Sequence, residues 1–286
     1  MAVDVNAQRQ VVNQGVIGIL TDGVRGSQIE LMGDLATLLD DAYNMRILPM
    51  AGKGSVRNIE DLMLLRGVDI ALVQADVLDF YRRADLFPDI DKKLNYIAKL
   101  YREEVHVLAS KDISTIQDLQ GKKVNFGPAS SGSFVTASLL FEQLGIGVIV
   151  RGEDYQVGLE RLRQGEIDAW VRVGAKPLLQ VESLPDWEDV HLLALPPKAA
   201  NDVYTSAELK PNDYPNLIAE GSTIETVSVD LVMAVYNWSA ENAKRRQLEA
   251  FSDRFLASMN KLQRSSFHPK WREVDLNAEV PGWSRF

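Results

Sequence analysis

Residues 118–133, Asp-Leu-Gln-Gly-Lys-Lys-Val-Asn-Phe-Gly-Pro-Ala-Ser-Ser-Gly-Ser, combine what an anion pocket needs: a turn, a short strand, a loop of small residues and a helix start. Lys122 and Lys123 lead into a strand at 124–126, Gly127 and Pro128 end it, and Ser130, Ser131 and Ser133 precede a helical run over 134–144. The first turn of such a helix offers unpaired backbone N–H groups and roughly half a positive charge, which suits a carboxylate or phosphate oxygen. The alternative use of Ser130 or Ser131 is as a plain N-cap.

Other catalytic chemistry finds little support. His106, His191 and His268 are far apart, each beside apolar residues or proline. The serine loop is not a Gly-x-Ser-x-Gly nucleophile elbow, because Ala129 stands two residues before Ser131. Gly52-Lys53-Gly54-Ser55 lacks the earlier glycine of a phosphate loop, whose place is taken by Ile47. No Gly-x-Gly-x-x-Gly follows a strand, and no Asp/Glu/His set has metal-ligand spacing, so neither a cofactor nor a metal is expected. Zero cysteines exclude disulfides, zinc-thiolate and iron–sulfur sites and a cysteine nucleophile.

Composition narrows the class further. At 286 residues and 46% hydrophobic content the chain can bury one large or two ordinary cores. A net charge of −9 argues against a nucleic-acid backbone as partner. The longest apolar run, 227–238, is interrupted by Asp230 and falls short of the roughly 18 residues of a membrane span. The first residues, Met-Ala-Val-Asp-Val-Asn, lack a basic-then-apolar export signal, which fits a cytosolic chain or an exported one whose signal is removed.

The elements that must position these loops alternate between apolar strands and helix-period segments, the pattern of an α/β fold with mostly parallel strands. The spacing predicts strands at 16–20, 46–50 and 68–73, each followed by a small polar loop, with helices at 29–39 and 59–65. Ligands of open α/β sheets bind outside the carboxyl ends of strands, where these loops lie. Runs at 94–100 and 104–109 read as two strands leading into a second lobe. Helices at 134–144 and 157–164 and strands at 147–150 and 166–171 follow. Residues 185–221 read as loop-rich, 226–236 as the strand that returns, and 240–262 as an amphipathic helix on the first lobe. The predicted division is 1–105 with 228–286 as lobe I and 106–227 as lobe II, a ligand cleft lying between them.

A two-lobed chain with small polar loops and no nucleophile describes a ligand-binding clamp. The series Ser55-Val-Arg-Asn-Ile-Glu-Asp-Leu, Val68-Asp-Ile-Ala-Leu-Val-Gln-Ala-Asp76, Leu100-Tyr-Arg-Glu-Glu-Val-His-Val-Leu108, the 118–133 stretch and Gly165-Glu-Ile-Asp-Ala169 through Gly174-Ala-Lys-Pro177 resembles the TAXI family of TRAP transporter solute receptors. The resemblance covers about residues 15–240. It implies a type II periplasmic-binding-protein fold and a monomeric periplasmic receptor. Such a receptor closes on a small organic anion, an amino acid or carboxylate, and delivers it to TRAP-type permease subunits. By position it assigns the ligand to Thr21, Arg25, Gly26 and Ser27, to Gly52 and Ser55, to Gln74, Ala75 and Asp76, to Ser130, Ser131, Gly132 and Ser133, and to Gly174 and Pro177.

Two arginines depart from the family pattern, Arg25 in the first loop and Arg172 in an apolar strand, and either can clamp a carboxylate bidentately. Otherwise Arg25 is solvated and Arg172 pairs with an acid. Asp76 can accept a ligand ammonium or cap the helix that starts near Val77. Gln74 can reach the ligand or bond within its own lobe. Tyr101 lies at the crossing between lobes, while Tyr155 and Trp170 can wall an apolar ligand body or belong to the core. An enzyme on the same bilobal fold and a receptor that feeds a sensor are the competing functions.

Overall fold

The computed structural model describes Asp4 and residues 15–40, 45–184 and 189–286. In chain order the elements are β1 (Val16–Thr21), α1 (Ser27–Leu39), β2 (Arg46–Ala51), α2 (Ser55–Leu64), β3 (Ile70–Gln74), α3 (Val77–Ala84), α4 (Ile90–Lys93) and β4 (Leu94–Ser110). Then come β5 (Lys123–Asn125), α5 (Gly132–Leu144), β6 (Ile149–Arg151), α6 (Tyr155–Arg163), β7 (Ala169–Gly174), α7 (Leu179–Glu182), β8 (Val190–Leu192), β9 (Tyr204–Leu209), β10 (Ile224–Tyr236), α8 (Ala243–Leu262) and β11 (Ser284–Arg285). The chain forms two compact units: unit 1 holds residues up to Val73, Tyr81–Tyr101 and Val232–Phe286, and unit 2 holds Gln74–Phe80 and Arg102–Leu231. The sequence division puts 74–80, 102–105 and 228–231 in the first lobe; in the structure all three fall in unit 2.

In unit 1, β1 lies between β2 and β3, parallel to both, with Val16 opposite Arg46, Thr21 opposite Ala51 and Ile19 opposite Ile70. The apolar run of β1 is buried from Ile17 onward, as expected for an interior parallel strand covered on both faces. Gly18 is required there, because a Cβ would stand 2.1 Å from the Gly67 carbonyl oxygen. Asp69 accepts the Gly18 N–H at 3.0 Å and pairs with Lys244 Nζ at 2.6 Å, fastening α8 to this sheet. On α8 the buried face is Leu248, Phe251, Phe255, Met259 and Leu262, and Phe255 packs against the buried Trp271 with ring centroids 6.2 Å apart.

In unit 2, β5 lies between β6 and β7, parallel to both, while β4 runs antiparallel to β7 and β8, and β10 antiparallel to β9. The α5 face of this sheet is filled by Val124, Val171, Val173, Ala137, Leu140 and Phe141. The α6 face is filled by Trp170, Leu159, Leu162 and Leu178. The expected α/β fold with a mixed, mostly parallel sheet is what the chain forms.

Local differences have local causes. Residues 94–100 and 104–109 are one strand, not two: Arg102-Glu103-Glu104 reads as a polar break, but both acids are buried at 4% and 6% exposure and their carboxylates accept hydrogen bonds. The loop-rich 185–221 region also holds β8 and β9. Tyr204–Leu209 is a strand whose exposure pattern, buried only at its ends, carries no period of two to read. The second helix begins at Ser55, ahead of the predicted Ile59, because Gly54 at φ 101° turns the chain straight from β2 into it.

Candidate functional site

Each unit gathers its polar loops at the carboxyl ends of parallel strands. In unit 1 these are the ends of β1, β2 and β3. Thr21 is fully buried and its hydroxyl donates to the Gly23 and Met50 carbonyls at 3.0 and 3.2 Å. Asn58 binds the three strand ends together: its Nδ2 donates to the Thr21 and Leu72 carbonyls at 2.9 and 3.2 Å, and its Oδ1 accepts from Lys53 N–H at 3.3 Å. Gly52 is therefore a packing requirement, since a Cβ would lie 2.1 Å from Asn58 Oδ1 and 2.4 Å from the Thr21 oxygen.

The two helices that leave this edge start alike. Arg25-Gly26-Ser27 opens α1 and Lys53-Gly54-Ser55 opens α2, with glycine N-caps at φ 107° and 101°. A glycine N-cap has no side chain to give to the first-turn amides, which keeps such an end receptive to an anion. Arg25 is exposed and Ser55 buried. Tyr101, also in unit 1, is a buried ring with Lys270 Nζ 5.6 Å from its centroid.

In unit 2 the corresponding edge is formed by the ends of β5, β6 and β7 with the starts of α5 and α6. The serine loop is built differently from the glycine starts. Ser131 caps α5, its hydroxyl accepting the Phe134 N–H at 3.1 Å. Ser133 Oγ accepts the Val173 N–H at 2.9 Å and faces the Val173 carbonyl at 3.3 Å, pinning the helix start to β7. Both hydroxyls hold the scaffold; Ser130 lies in the turn before α5, and Gly132 is the first residue of that helix.

On the opposite face of β7, the guanidinium of Arg172 lies 3.9 Å from the centroid of the Tyr155 ring, at the first residue of α6. Tyr155 is wedged against the start of the serine loop: a Cβ on Gly127, itself at φ 79°, would come within 2.3 Å of its ring. Its hydroxyl is buried and meets no hydrogen-bond partner among the described residues. Trp170 packs edge-on to Tyr155 at 6.1 Å and donates its indole N–H to the Tyr155 carbonyl at 3.1 Å, so Trp170 is core and Tyr155 is its rim. Gly174 is buried at the end of β7, and Pro177 is exposed just beyond it.

Gln74, Ala75 and Asp76 belong to unit 2. Gln74 Nε2 donates to Glu103 Oε2 at 2.7 Å, and the Ala75 N–H to the Asp230 carbonyl at 2.9 Å. Asp76 Oδ2 accepts from Thr136 Oγ1 at 2.6 Å and Tyr204 OH at 3.0 Å. Burial pushes the Asp76 carboxyl up to about 6, against the pull of those two hydroxyls and its own amide.

Glu103, Glu104, Thr136 and Tyr204 were not singled out in the sequence. Consecutive acids inside an otherwise apolar strand were the available signal for the first two, because burying a carboxylate requires dedicated donors. Glu104 Oε2 accepts the Lys176 N–H at 3.0 Å.

His106 belongs to a structural network. Its Nδ1 lies 2.9 Å from the Glu104 carbonyl, which can only accept, so Nδ1 carries the hydrogen and Nε2 accepts from Tyr214 OH at 2.7 Å. Tyr214 OH in turn accepts the Leu178 N–H at 2.8 Å. Burial drives the His106 imidazole down to about 3. His191 and His268 are partly buried and are pushed down by the same cause. Among the described residues no group of three His, Asp or Glu could hold a metal ion, and no helix is long and apolar enough to cross a membrane.

Strand order, helix placement and the loops at the carboxyl edges define a protein of the type II periplasmic-binding-protein fold. Solved structures share it: Tv2483 bound to L-arginine (13% identity, 97% of this chain and 100% of that one, TM-score 0.55) and the periplasmic binding protein BugD (14%, 93% and 88%, 0.54). The substrate-binding protein of an amino acid ABC transporter matches as well (14%, 87% and 97%, 0.50). The chain belongs to the NMT1-like family, whose profile matches residues 19–251.

Proposed function

We propose that this chain is an extracytoplasmic receptor that binds a small organic anion, an amino acid or carboxylate, and hands it to a TRAP-type membrane permease. The observation that carries the reading is the Arg172 guanidinium 3.9 Å from the centroid of the Tyr155 ring, between β7 and the start of α6. The ring contact restrains the guanidinium, and a restrained fork loses less entropy when a carboxylate accepts two of its N–H bonds in parallel. The neighbouring loop supplies helix-start amides and no nucleophile, an arrangement for holding an anion and not for attacking it. On unit 1 the glycine-started α1 and α2 offer the same chemistry. Relatives of the same fold bound to L-arginine or serving an amino acid transporter support the amino-acid class. Delivery to a TRAP permease rests on the resemblance of the motif series to TAXI receptors.

The test is thermal unfolding of ligand-stripped protein against amino acids, dicarboxylates, keto acids and aromatic acids. A ligand at one hundred times its Kd adds about 2.7 kcal/mol, a rise of several degrees in Tm for a chain of this size. Calorimetry on Arg172→Gln should then lose about 2–5 kcal/mol of binding, the usual penalty for removing one partner of a desolvated charge pair. A panel with no acid hit, or an Arg172→Gln protein that binds as tightly as the parent, would overturn the reading.

A further inference from the structure

The segment 74–80 lies in the chain between two stretches of unit 1 yet belongs to unit 2. The Ala75 N–H bond to Asp230, the Gln74 bond to Glu103 and the two hydroxyl bonds into Asp76 tie it there. The Asp76 side chain is 1% exposed, and its Oδ1 meets no donor from another residue. No cation pairs with it among the described residues. The charges around it are an acid on its own helix, Asp79; Glu103 on β4, reached through Gln74; and Asp230 on β10, matched with Arg102 at 3.5 Å. Thr136 on α5 and Tyr204 on β9 contribute neutral hydroxyls only.

We propose that a proton on Asp76 latches the 74–80 segment to unit 2, and that losing it to solvent releases the segment. A proton on the bare Oδ1 makes the group neutral, keeps Oδ2 as acceptor for both hydroxyls and needs no counter-ion. The ionised group keeps the same two bonds but is a buried charge beside Asp79, and it regains hydration only when the segment lifts away. Burial holds this carboxyl near 6, so the latch works between mildly acidic and neutral pH. The latch concerns residues also proposed to meet the ligand, yet it is tested without ligand, so the two readings can fail separately.

The experiment is hydrogen exchange of the full chain followed by mass spectrometry between pH 5 and 8, corrected for intrinsic rates and read in peptides covering 74–80. Linkage between a docked value of about 6 and a released value of about 3.8 makes opening roughly tenfold more frequent at pH 8 than at pH 5. Asp76→Asn should abolish the step. Tyr204→Phe removes a donor that favours the carboxylate, so it should move the step to higher pH; a purely structural loss would lower protection equally at every pH. A flat profile in the parent, the same step in Asp76→Asn, or a Tyr204→Phe step unmoved or moved to lower pH would overturn the latch.

Discussion

Acid should destabilise this protein through His106, and the size of the effect follows from its surroundings. The folded imidazole is held at about 3 against an ordinary value of 6.5, because full burial outweighs the bond to the Glu104 carbonyl and the attraction of Asp213. Below pH 6.5 the unfolded chain takes up a proton that the folded chain refuses until about pH 3, so stability falls as pH drops through that window. Between pH 7 and 5 the loss is about 2 kcal/mol. Asp76 works in the opposite sense. Its folded value of about 6 lies above the ordinary 3.8, so the folded state binds the extra proton and gains about 1 kcal/mol over the same interval. In urea denaturation followed by circular dichroism, Asp76→Asn should therefore lose about 1 kcal/mol more than the parent protein over this interval. His106→Asn, whose Nδ2 can still donate to the Glu104 carbonyl, should lose about 2 kcal/mol less than the parent. His191 and His268 act in the same direction as His106 but are common to all three proteins and cancel in the comparison. Identical pH slopes for the parent and His106→Asn would refute the assignment of a neutral, buried imidazole.

Ser133→Ala removes both bonds to Val173 and strands a buried N–H, so equilibrium unfolding should show a loss of about 1–3 kcal/mol. Gly33 and Gly158 both lie in helices, but nothing stands within 4 Å of a Cβ on Gly33, whereas one on Gly158 would meet Asn125 Nδ2 at 1.9 Å and Trp170 at 2.9 Å. Gly33→Ala should thus stabilise by about 1 kcal/mol and Gly158→Ala destabilise by about 1–3 kcal/mol, and equal signs in thermal unfolding would contradict the packing around α6. Arg172→Lys keeps the charge and loses the bidentate fork held against Tyr155, so calorimetry with any acid found in the ligand panel should show at least a tenfold loss of affinity.

The elements that were legible in the sequence are those whose burial writes a period. The apolar run of β1 and the spacing of Leu248, Phe251, Phe255 and Met259 on α8 are examples, because one face or both must leave water. Tyr204–Leu209 was not legible, since its exposed centre and buried ends alternate with nothing. Among the site residues, Arg172 stood out because a guanidinium inside an apolar strand demands a partner, but Tyr155, 17 positions earlier, could not be named as that partner without the fold. Asp76 was readable as a helix cap or an ammonium acceptor. Its two hydroxyl donors are 60 and 128 residues away, and no local pattern records such a meeting.

Serine and glycine therefore carry opposite information at helix starts in this fold. The run of serines in 130–133 is the more conspicuous signal, since hydroxyls suggest ligand contacts. In the folded chain the Ser131 and Ser133 hydroxyls bind backbone groups of α5 and β7, which fixes the loop. At Gly26 and Gly54 the N-cap brings no oxygen of its own, and a basic residue precedes each glycine. A helix end whose amides meet a built-in acceptor competes with an anion, and one that begins at glycine after Arg or Lys invites it. On that physical ground, unit 1 offers the more receptive backbone and unit 2 the more rigid side chain.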